Sequence, residues 1–84
     1  MPIKYKFDTQ LLIVGSPLTD HQISEEITKK FVGDSLIVGG DADLMKIHFH
    51  TNQPWQILEY GASLGEIFDV VVENMARQEA GLKG

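Results

Sequence analysis

The most restrictive feature of this sequence is a run near its start in which side chains alternate between two sides of the chain. Between Tyr5 and Val14, one side carries Tyr5, Phe7, Thr9, Leu11 and Ile13, and the other carries Lys6, Asp8, Gln10, Leu12 and Val14. A period of two is typical of a β-strand. A second run alternates in the same way, with Met45, Ile47 and Phe49 opposite Leu44, Lys46, His48 and His50. Any fold of this chain must place the apolar sides of both strands against one core.

Two further segments predict helices. Thr19 and Gln22 form a capping box, and an apolar stripe at spacing four then runs to Gly33, where the helix is expected to end. The second helix has Pro54 in its first turn, where its missing N–H costs nothing. We expect Thr51 or Asn52 to cap it and Gly65 to end it. The expected apolar stripes are Ile23, Ile27 and Phe31 in the first helix, and Trp55, Ile57, Leu58, Gly61, Ala62 and Leu64 in the second.

The remaining segments predict two more strands. The glycine-rich turn at residues 39–41 joins residues 34–39 to the second alternating run, which indicates a hairpin. The last strand is expected at Ile67 to Glu73. Residues 74–84 follow it as a short helical or frayed tail. The predicted faces of the last strand are Phe68, Val70 and Val72 on one side, and Ile67, Asp69, Val71 and Glu73 on the other.

The order strand, helix, strand, strand, helix, strand predicts an α+β fold. It is that of a ferredoxin-like βαββαβ sandwich, with a four-stranded antiparallel or mixed sheet and two helices on one face. Residues 4–84 are expected to form this single domain. Right-handed crossovers predict strands one and three at the centre, side by side and parallel. The second face of the sheet is then bare unless a partner covers it.

Composition excludes several classes of function. The chain has 84 residues, no cysteine and a net charge of −5. Disulfides and thiolate metal sites are therefore excluded, and nucleic acid is not an expected partner because the charge repels phosphate. No apolar run approaches the roughly 20 residues that span a bilayer, and the first residues do not resemble a secretory signal. A cytoplasmic location is expected.

The bare sheet face carries the candidate site. If Leu11, Ile47 and Phe49 face the helices, then Asp8, His48 and His50 project together from the opposite face. Two imidazoles and one carboxylate suit zinc, with iron or manganese as alternatives, and leave coordination positions open for water. The simpler interpretation is a half-exposed polar face on which Asp8 pairs with Lys6 or Lys46. Two acidic residues of the last strand, Asp69 and Glu73, are either a fourth ligand or surface charge. Surface charge is favoured for Glu73.

The same face also carries much apolar surface for a small domain, which indicates association, most simply as a homodimer. A tryptophan at the start of the second helix, Trp55, is expected to act as a lid over the edge of the core. The apolar residues predicted on the bare face are Leu12, Val14, Ile37, Leu44, Ile67 and Val71.

Taken together, these motifs resemble a known family. The chain from about Tyr5 to Gln78 is similar to the middle domain of the bacterial fatty acid kinase A subunit, one of the dihydroxyacetone-kinase-like proteins. The resemblance rests on the stretches 5–10, 33–36, 46–52 with Pro54, 59–60, 65–66 and 73–75 with Gln78. The most specific of these are Lys-x-His-x-His-Thr-Asn-x-Pro and Glu-Asn-Met.

The resemblance implies a domain that lies between an ATP-binding kinase domain and a region that engages a fatty-acid-carrying partner protein, in a dimeric subunit. In that family the two histidines and a cysteine of the first strand are associated with zinc. The histidines match His48 and His50, whereas the cysteine position holds Asp8, and a carboxylate is a harder and weaker ligand for zinc than a thiolate. The family usually has glycine where this chain has Trp55.

Three functions are compatible with these observations. The first is an accessory or regulatory module that binds a metal, dimerises and has no kinase activity of its own, since phosphoryl transfer requires Mg²⁺-holding carboxylates beside a nucleotide. The second is a metal-free interaction module. The third is a small metal-dependent hydrolase with Asp69 as its only candidate base. A kinase domain or a fatty-acid-binding protein is a possible partner. The start at Met1-Pro2 and the short tail favour a stand-alone chain.

Overall fold

The computed structural model describes residues 3–84 and shows an α+β fold, in which a four-stranded antiparallel sheet is accompanied by three helices. In chain order the elements are β1 (Phe7–Val14), α1 (Asp20–Lys30), β2 (Gly33–Gly40), β3 (Met45–Thr51), α2 (Pro54–Leu64), β4 (Glu66–Asn74) and α3 (Met75–Glu79).

The strand order in the sheet is β2-β3-β1-β4, so β1 and β3 lie at its centre, as predicted. The prediction that these two strands are parallel was wrong, because β1 pairs with β3 in antiparallel register. The reason lies in the connections. The crossover through α1 makes β2 run parallel to β1, and the hairpin makes β3 antiparallel to β2. Since β3 lies between β1 and β2, it must run antiparallel to both.

The core lies between one face of the sheet and the helices α1 and α2. Alternate residues of β1 and β3 point into it, which confirms the period-two analysis of both strands. Ile23 and Ile27 of α1 and Ile57 and Tyr60 of α2 cover them. The strand residues in this cluster are Leu11, Ile13, Met45, Ile47 and Phe49.

Two bulges interrupt the outer strands and change which side chains face outward. The register between β2 and β3 shifts between Asp34 and Ile37, and that between β1 and β4 shifts across Gln10 and Leu12. Each bulge contains a non-glycine residue with positive φ, at 54° for Ser35 and 53° for Asp69. An extra residue reverses the alternation on one side of a bulge.

Because of the bulge in β4, Ile67 is on the helix-covered face, where it packs against the core. Its prediction on the bare face was wrong. Phe68 lies opposite the outward-facing Leu12, so Phe68 occupies the bare face instead of Ile67. Val71 lies opposite Gln10 and Glu73 opposite Asp8, so both remain on the bare face as predicted.

The helix ends confirm some of the expected signals and correct others. The capping box of Thr19 and Gln22 is present, but α1 ends at Lys30, and Gly33 already begins β2. The N-cap residue of α2 is Gln53, so the prediction that Thr51 or Asn52 caps this helix was wrong. Thr51 Oγ1 instead donates to Val32 O, and the Asn52 side chain bonds the backbone of Lys4 and Lys6.

After β4, residues Met75–Glu79 form the short helix α3, and Asn74 caps it by accepting a hydrogen bond from the N–H of Arg77. Within residues 3–84, no helix is long and apolar enough to cross a membrane.

The predicted role of Trp55 was also wrong. Its side chain is 63% exposed and is not a lid over the core. The buried face of α2 instead consists of Pro54, Ile57, Tyr60 and Gly61. Trp55 is next to Pro54 in the sequence but lies outside this buried face.

Candidate metal centre

The candidate site lies on the face of the sheet opposite α1 and α2, which we call the open face. Asp8 comes from β1, and His48 and His50 come from β3. Each lies next to residues that are buried on the other face: Thr9 follows Asp8, and Ile47 and Phe49 flank His48. Asp8 lies directly opposite His50, and Gln10 lies opposite His48. The antiparallel register therefore brings together the three residues that the sequence predicted.

The ligand atoms of these three side chains lie close together. One atom from each of Asp8, His48 and His50 can be chosen so that all three lie within 4.8 Å of one another. The Nε2 atom of His48 is 3.0 Å from Asp8 Oδ1, and the Nε2 atom of His50 is 3.8 Å from the same oxygen. Ligand atoms around a tetrahedral zinc ion with bonds near 2.1 Å are about 3.4 Å apart. The observed distances bracket that value.

The three side chains are partly shielded from water. They are 19%, 19% and 23% exposed for Asp8, His48 and His50. The two imidazole rings meet edge to face, with centroids 4.9 Å apart and an angle of 68° between their planes. This arrangement lets both Nε2 atoms approach the carboxylate without stacking the rings.

The opposite nitrogen of each ring faces an acceptor on β2. His48 Nδ1 is 3.2 Å from the carbonyl oxygen of Ser35. His50 Nδ1 is 3.8 Å from Asp34 Oδ1. On the other side of the site, the Gln10 amide donates to both oxygens of Asp8, at 3.4 and 3.3 Å. Carbonyl and carboxylate groups are the usual outer partners of metal-bound histidines.

These contacts decide whether the residues fit a metal ion. Both nitrogens of His48 face oxygen acceptors, and a neutral imidazole has only one N–H to offer. A cation between Nε2 and the carboxylate of Asp8, or a second proton on the ring, satisfies both contacts. Two imidazole nitrogens and one carboxylate oxygen are a common ligand set for zinc and for iron. By donor chemistry and spacing, the residues fit a divalent metal.

The alternative pairings considered from the sequence are not those found. Within the described residues, the ion-pair partners of Asp8 are His48 and His50, and neither Lys6 nor Lys46 is among them. Glu73 lies opposite Asp8, but its carboxylate accepts a hydrogen bond from Gln78 Nε2 at 3.1 Å. Asp69 lies in the bulge of β4 and is not among the residues whose ligand atoms converge at the site.

Sequence reasoning missed the outer residues of the site. Asp34 and Ser35 lie beside the two histidines only because β2 is bulged, and a bulge at a serine has no clear sequence signal. Gln10 did have a signal, since it is two residues from Asp8 on the same strand and must share its face.

A second polar pair lies on the other side of the sheet. The buried Tyr60 donates a hydrogen bond of 2.6 Å from its hydroxyl to Glu26 Oε1. Burial raises the pKa of Tyr60 well above its usual value, and the hydrogen bond to Glu26 and the negative charge of Glu26 raise it further. Lys30 Nζ lies 3.8 Å from Glu26 and 5.9 Å from the centre of the Tyr60 ring. This pair ties α1 to α2 and takes no part in the candidate site.

The face with the helices carries an open groove of about 530 Å³ between the end of α1 and α2. Trp55 and Tyr60 of α2 line it together with Lys30 and Phe31 from the end of α1. It is separated from the candidate metal centre by the whole thickness of the sheet.

With the fold and the site described, comparison with known proteins identifies the family. A family model described as the middle domain of proteins like the fatty acid kinase A subunit matches residues 4–82. The chain belongs to this family. The match confirms the resemblance found in the sequence and covers the strands that carry all three candidate ligands of this middle domain.

Similar proteins are found in staphylococci. An uncharacterized protein of Staphylococcus saprophyticus is 34% identical over 79 residues, which are 90% of this chain and 14% of the relative. An uncharacterized protein of Staphylococcus haemolyticus matches to the same extent, with 34% identity over 79 residues. One of Staphylococcus aureus is 44% identical over 46 residues, or 55% of this chain. The middle domain spans only a small part of the length of the relatives it matches.

Proposed function

We propose that this chain is an accessory domain of a fatty-acid-kinase-like system, which binds one divalent metal through Asp8, His48 and His50 and pairs with a second copy through its open face. Zinc is the leading candidate, and iron and manganese are alternatives. The observation that carries the proposal is the convergence of three ligand atoms within 4.8 Å on the central strands of a chain that belongs to this family.

The metal is proposed to have a structural or regulatory role. A metal held across β1 and β3 would fix the register of the two central strands and the shape of the open face. When bound, it would supply positive charge to a chain whose net charge is −5. Coordination requires a deprotonated carboxylate and unprotonated imidazole nitrogens, so binding would release protons.

The proposed domain has no kinase activity of its own. Phosphoryl transfer requires carboxylates that hold Mg²⁺ next to the phosphates of a nucleotide. The candidate site offers two imidazoles and one carboxylate, a set that suits softer metals than Mg²⁺. A kinase domain, or a protein that carries a fatty acid, is the kind of partner that such an accessory domain would serve.

Elemental analysis of protein purified without a histidine tag tests metal binding. The wild-type chain is expected to carry close to one equivalent of metal, and His48→Ala is expected to carry almost none. The matched control is His21→Ala, because His21 is exposed on α1 and pairs with Glu25 at 2.9 Å. A wild-type chain without metal after reconstitution, or unchanged metal content in His48→Ala, contradicts the proposal.

Exposed apolar side chains support pairing through the open face. Ile37 and Phe68 are 61% and 43% exposed on this face, where Ile37 lies opposite His48 and Phe68 lies opposite Leu12. A domain of this size has a thin stability margin, and burial of such residues against a second copy would increase it. This observation also favours the second candidate function, a metal-free interaction module.

Sedimentation separates the two functions. The wild-type chain is expected to sediment as a dimer, and Ile37→Ser together with Phe68→Ser is expected to yield a monomer. Trp55→Ala is the matched control, since Trp55 is a 63% exposed apolar residue that lies on α2 and not on the open face. A dimer that persists in metal-free protein favours the interaction module, and a monomeric wild-type chain contradicts pairing of the isolated domain.

A further inference from the structure

We propose that the bulge in β2 orients both imidazole ligands of the metal centre. In this arrangement the carbonyl oxygen of Ser35 holds the Nδ1–H group of His48, and the carboxylate of Asp34 holds that of His50. Asp34 is thus a positioning residue, which acts on the metal through His50. The inference rests on the proposed function, because it concerns how this chain holds the metal.

The first part of the argument concerns Ser35. Its φ of 54° is uncommon for a residue other than glycine. The register shift places an extra residue between Asp34 and Ile37, and the carbonyl of Ser35 lies 3.2 Å from His48 Nδ1. A carbonyl oxygen can only accept, so this contact requires a proton on Nδ1. The Nε2 atom, 3.0 Å from Asp8, is then the nitrogen available for a metal.

The second part concerns Asp34. It lies directly opposite His50 on the neighbouring strand, and its Oδ1 is 3.8 Å from His50 Nδ1. The other nitrogen of His50, Nε2, is 3.8 Å from Asp8. An ionised carboxylate can only accept a hydrogen bond, so its position beside Nδ1 favours an Nδ1–H group and leaves Nε2 to face Asp8. The Asp34 side chain is 59% exposed, so its carboxylate has room to move closer to His50 Nδ1.

Both contacts therefore lead to the same result. His48 contacts the Ser35 carbonyl through Nδ1, His50 has the Asp34 carboxylate beside its Nδ1, and both rings present Nε2 toward Asp8 on β1. Adjacent residues of one bulge, Asp34 and Ser35, provide both acceptors. In a regular β2 strand they would point to opposite faces of the sheet, so at least one of the two histidine contacts would be lost. Removing an outer partner of this kind typically weakens metal affinity by about 10-fold to 100-fold.

Metal affinity of Asp34 variants is the first test. Zn²⁺ binding to the full chain is measured in competition with a chromophoric chelator. Asp34→Ala is expected to bind Zn²⁺ about 10-fold to 100-fold more weakly than the wild type, and Asp34→Asn, which retains an acceptor, is expected to fall between them. Asp43→Ala is the matched control for charge, because Asp43 is exposed in the β2–β3 turn. Ser35→Gly, which retains the carbonyl, is expected to bind like the wild type.

The imidazole protons provide a readout that a merely structural role would not change. In long-range ¹H–¹⁵N spectra of the zinc-loaded chain, both histidines are expected to bind through Nε2 and to show a proton on Nδ1. In Asp34→Ala, the Nδ1–H signal of His50 is expected to broaden through exchange with water. That of His48 is expected to persist because Ser35 still holds it, so His48 serves as the internal control.

The outcomes separate the inference from the proposed function. If the wild-type chain binds no Zn²⁺, both fail. If the wild-type chain binds Zn²⁺ and Asp34→Ala binds it equally well, only the inference fails. Coordination of His50 through Nδ1 would also overturn the inference while leaving the metal centre in place. Unfolding midpoints of the metal-free variants, expected to match the wild type, verify that the comparison is made between folded proteins.

Discussion

The Nε2 atom of His48 lies 3.0 Å from Asp8 Oδ1, and this contact joins the two central strands of the sheet. The residues are not direct register partners, since Asp8 lies opposite His50. Asp8 thus reaches one histidine across the strand and the other along the diagonal. Asp8 is therefore the residue that contacts both histidines, and its substitution is the most informative change at the site.

Asp8→Cys is expected to increase zinc affinity. A thiolate is a softer ligand than a carboxylate and is preferred by zinc, whereas a carboxylate also suits harder metals such as manganese. Competition titrations with Zn²⁺ and Mn²⁺ are therefore expected to shift toward zinc in Asp8→Cys. Asp8→Asn is the control, because it retains the size of the side chain but removes its charge, and it is expected to weaken binding of both metals. Equal selectivity in wild type and Asp8→Cys would show that Asp8 is not a ligand.

Tyr60→Phe is expected to lower the free energy of unfolding by about 1.5–3 kcal/mol, because it removes a hydrogen bond to a charged group. The bond to Glu26 is 2.6 Å long and joins the two helices that cover the sheet. Urea denaturation of Tyr60→Phe and of Tyr5→Phe, the other tyrosine of the chain, measures the difference. Equal midpoints for Tyr60→Phe and the wild type would contradict a stabilising role for the hydroxyl.

The same tyrosine predicts a dependence of stability on alkaline pH. Its pKa is raised in the folded protein, mainly by burial and then by Glu26. The unfolded chain therefore loses this proton first, at about pH 10. The stabilisation is fully present below that pH and is lost as the pH rises toward the raised pKa. Above about pH 10, the free energy of unfolding of the wild type should fall more steeply than that of Tyr60→Phe. Parallel curves would contradict the assignment.

Gly61→Ala tests the close packing of α2 on the sheet. A Cβ atom at this position would lie 2.5 Å from Leu11 Cδ1, in the centre of the core. Overpacking costs about 1–3 kcal/mol, of which the better helix propensity of alanine recovers about 1 kcal/mol, so a net loss of up to about 2 kcal/mol is expected. Gly39→Ala is the control, because a Cβ there meets no atom within 4 Å. A Gly61→Ala variant more stable than the wild type would show that α2 can move away from the sheet.

The candidate site was predictable because it depends on two regular strands. The alternation of β1 and β3 is sufficient to place Asp8, His48 and His50 on the same face, whatever the direction of the strands. The error in direction, parallel instead of antiparallel, therefore did not change the residues that meet. A parallel arrangement would have paired different residues of β1 and β3. The antiparallel register, in which Asp8 lies opposite His50, is known only from the structure.

The features that could not be predicted arise where tertiary packing overrides the local pattern. Asp69 adopts a φ of 53° in β4, and this bulge exchanges the faces of Ile67 and Phe68 relative to a regular strand. The bulge at Ser35 likewise creates the contacts of β2 with the histidines. Trp55 was misplaced for a different reason, since the buried face of α2 is centred on Ile57 and Tyr60. Tyr60 was not assigned to this face because its hydroxyl is polar, and its burial is explained by the hydrogen bond to Glu26.

The central claim is that Asp8, His48 and His50 share one ion, and anomalous scattering from crystals grown with Zn²⁺ tests it most directly. We predict one strong anomalous peak on the open face, about 2.0–2.1 Å from an oxygen of Asp8 and from the Nε2 atoms of both histidines. A zinc peak elsewhere, or an ordered site in which these three side chains surround no anomalous scatterer at saturating Zn²⁺, would contradict the claim.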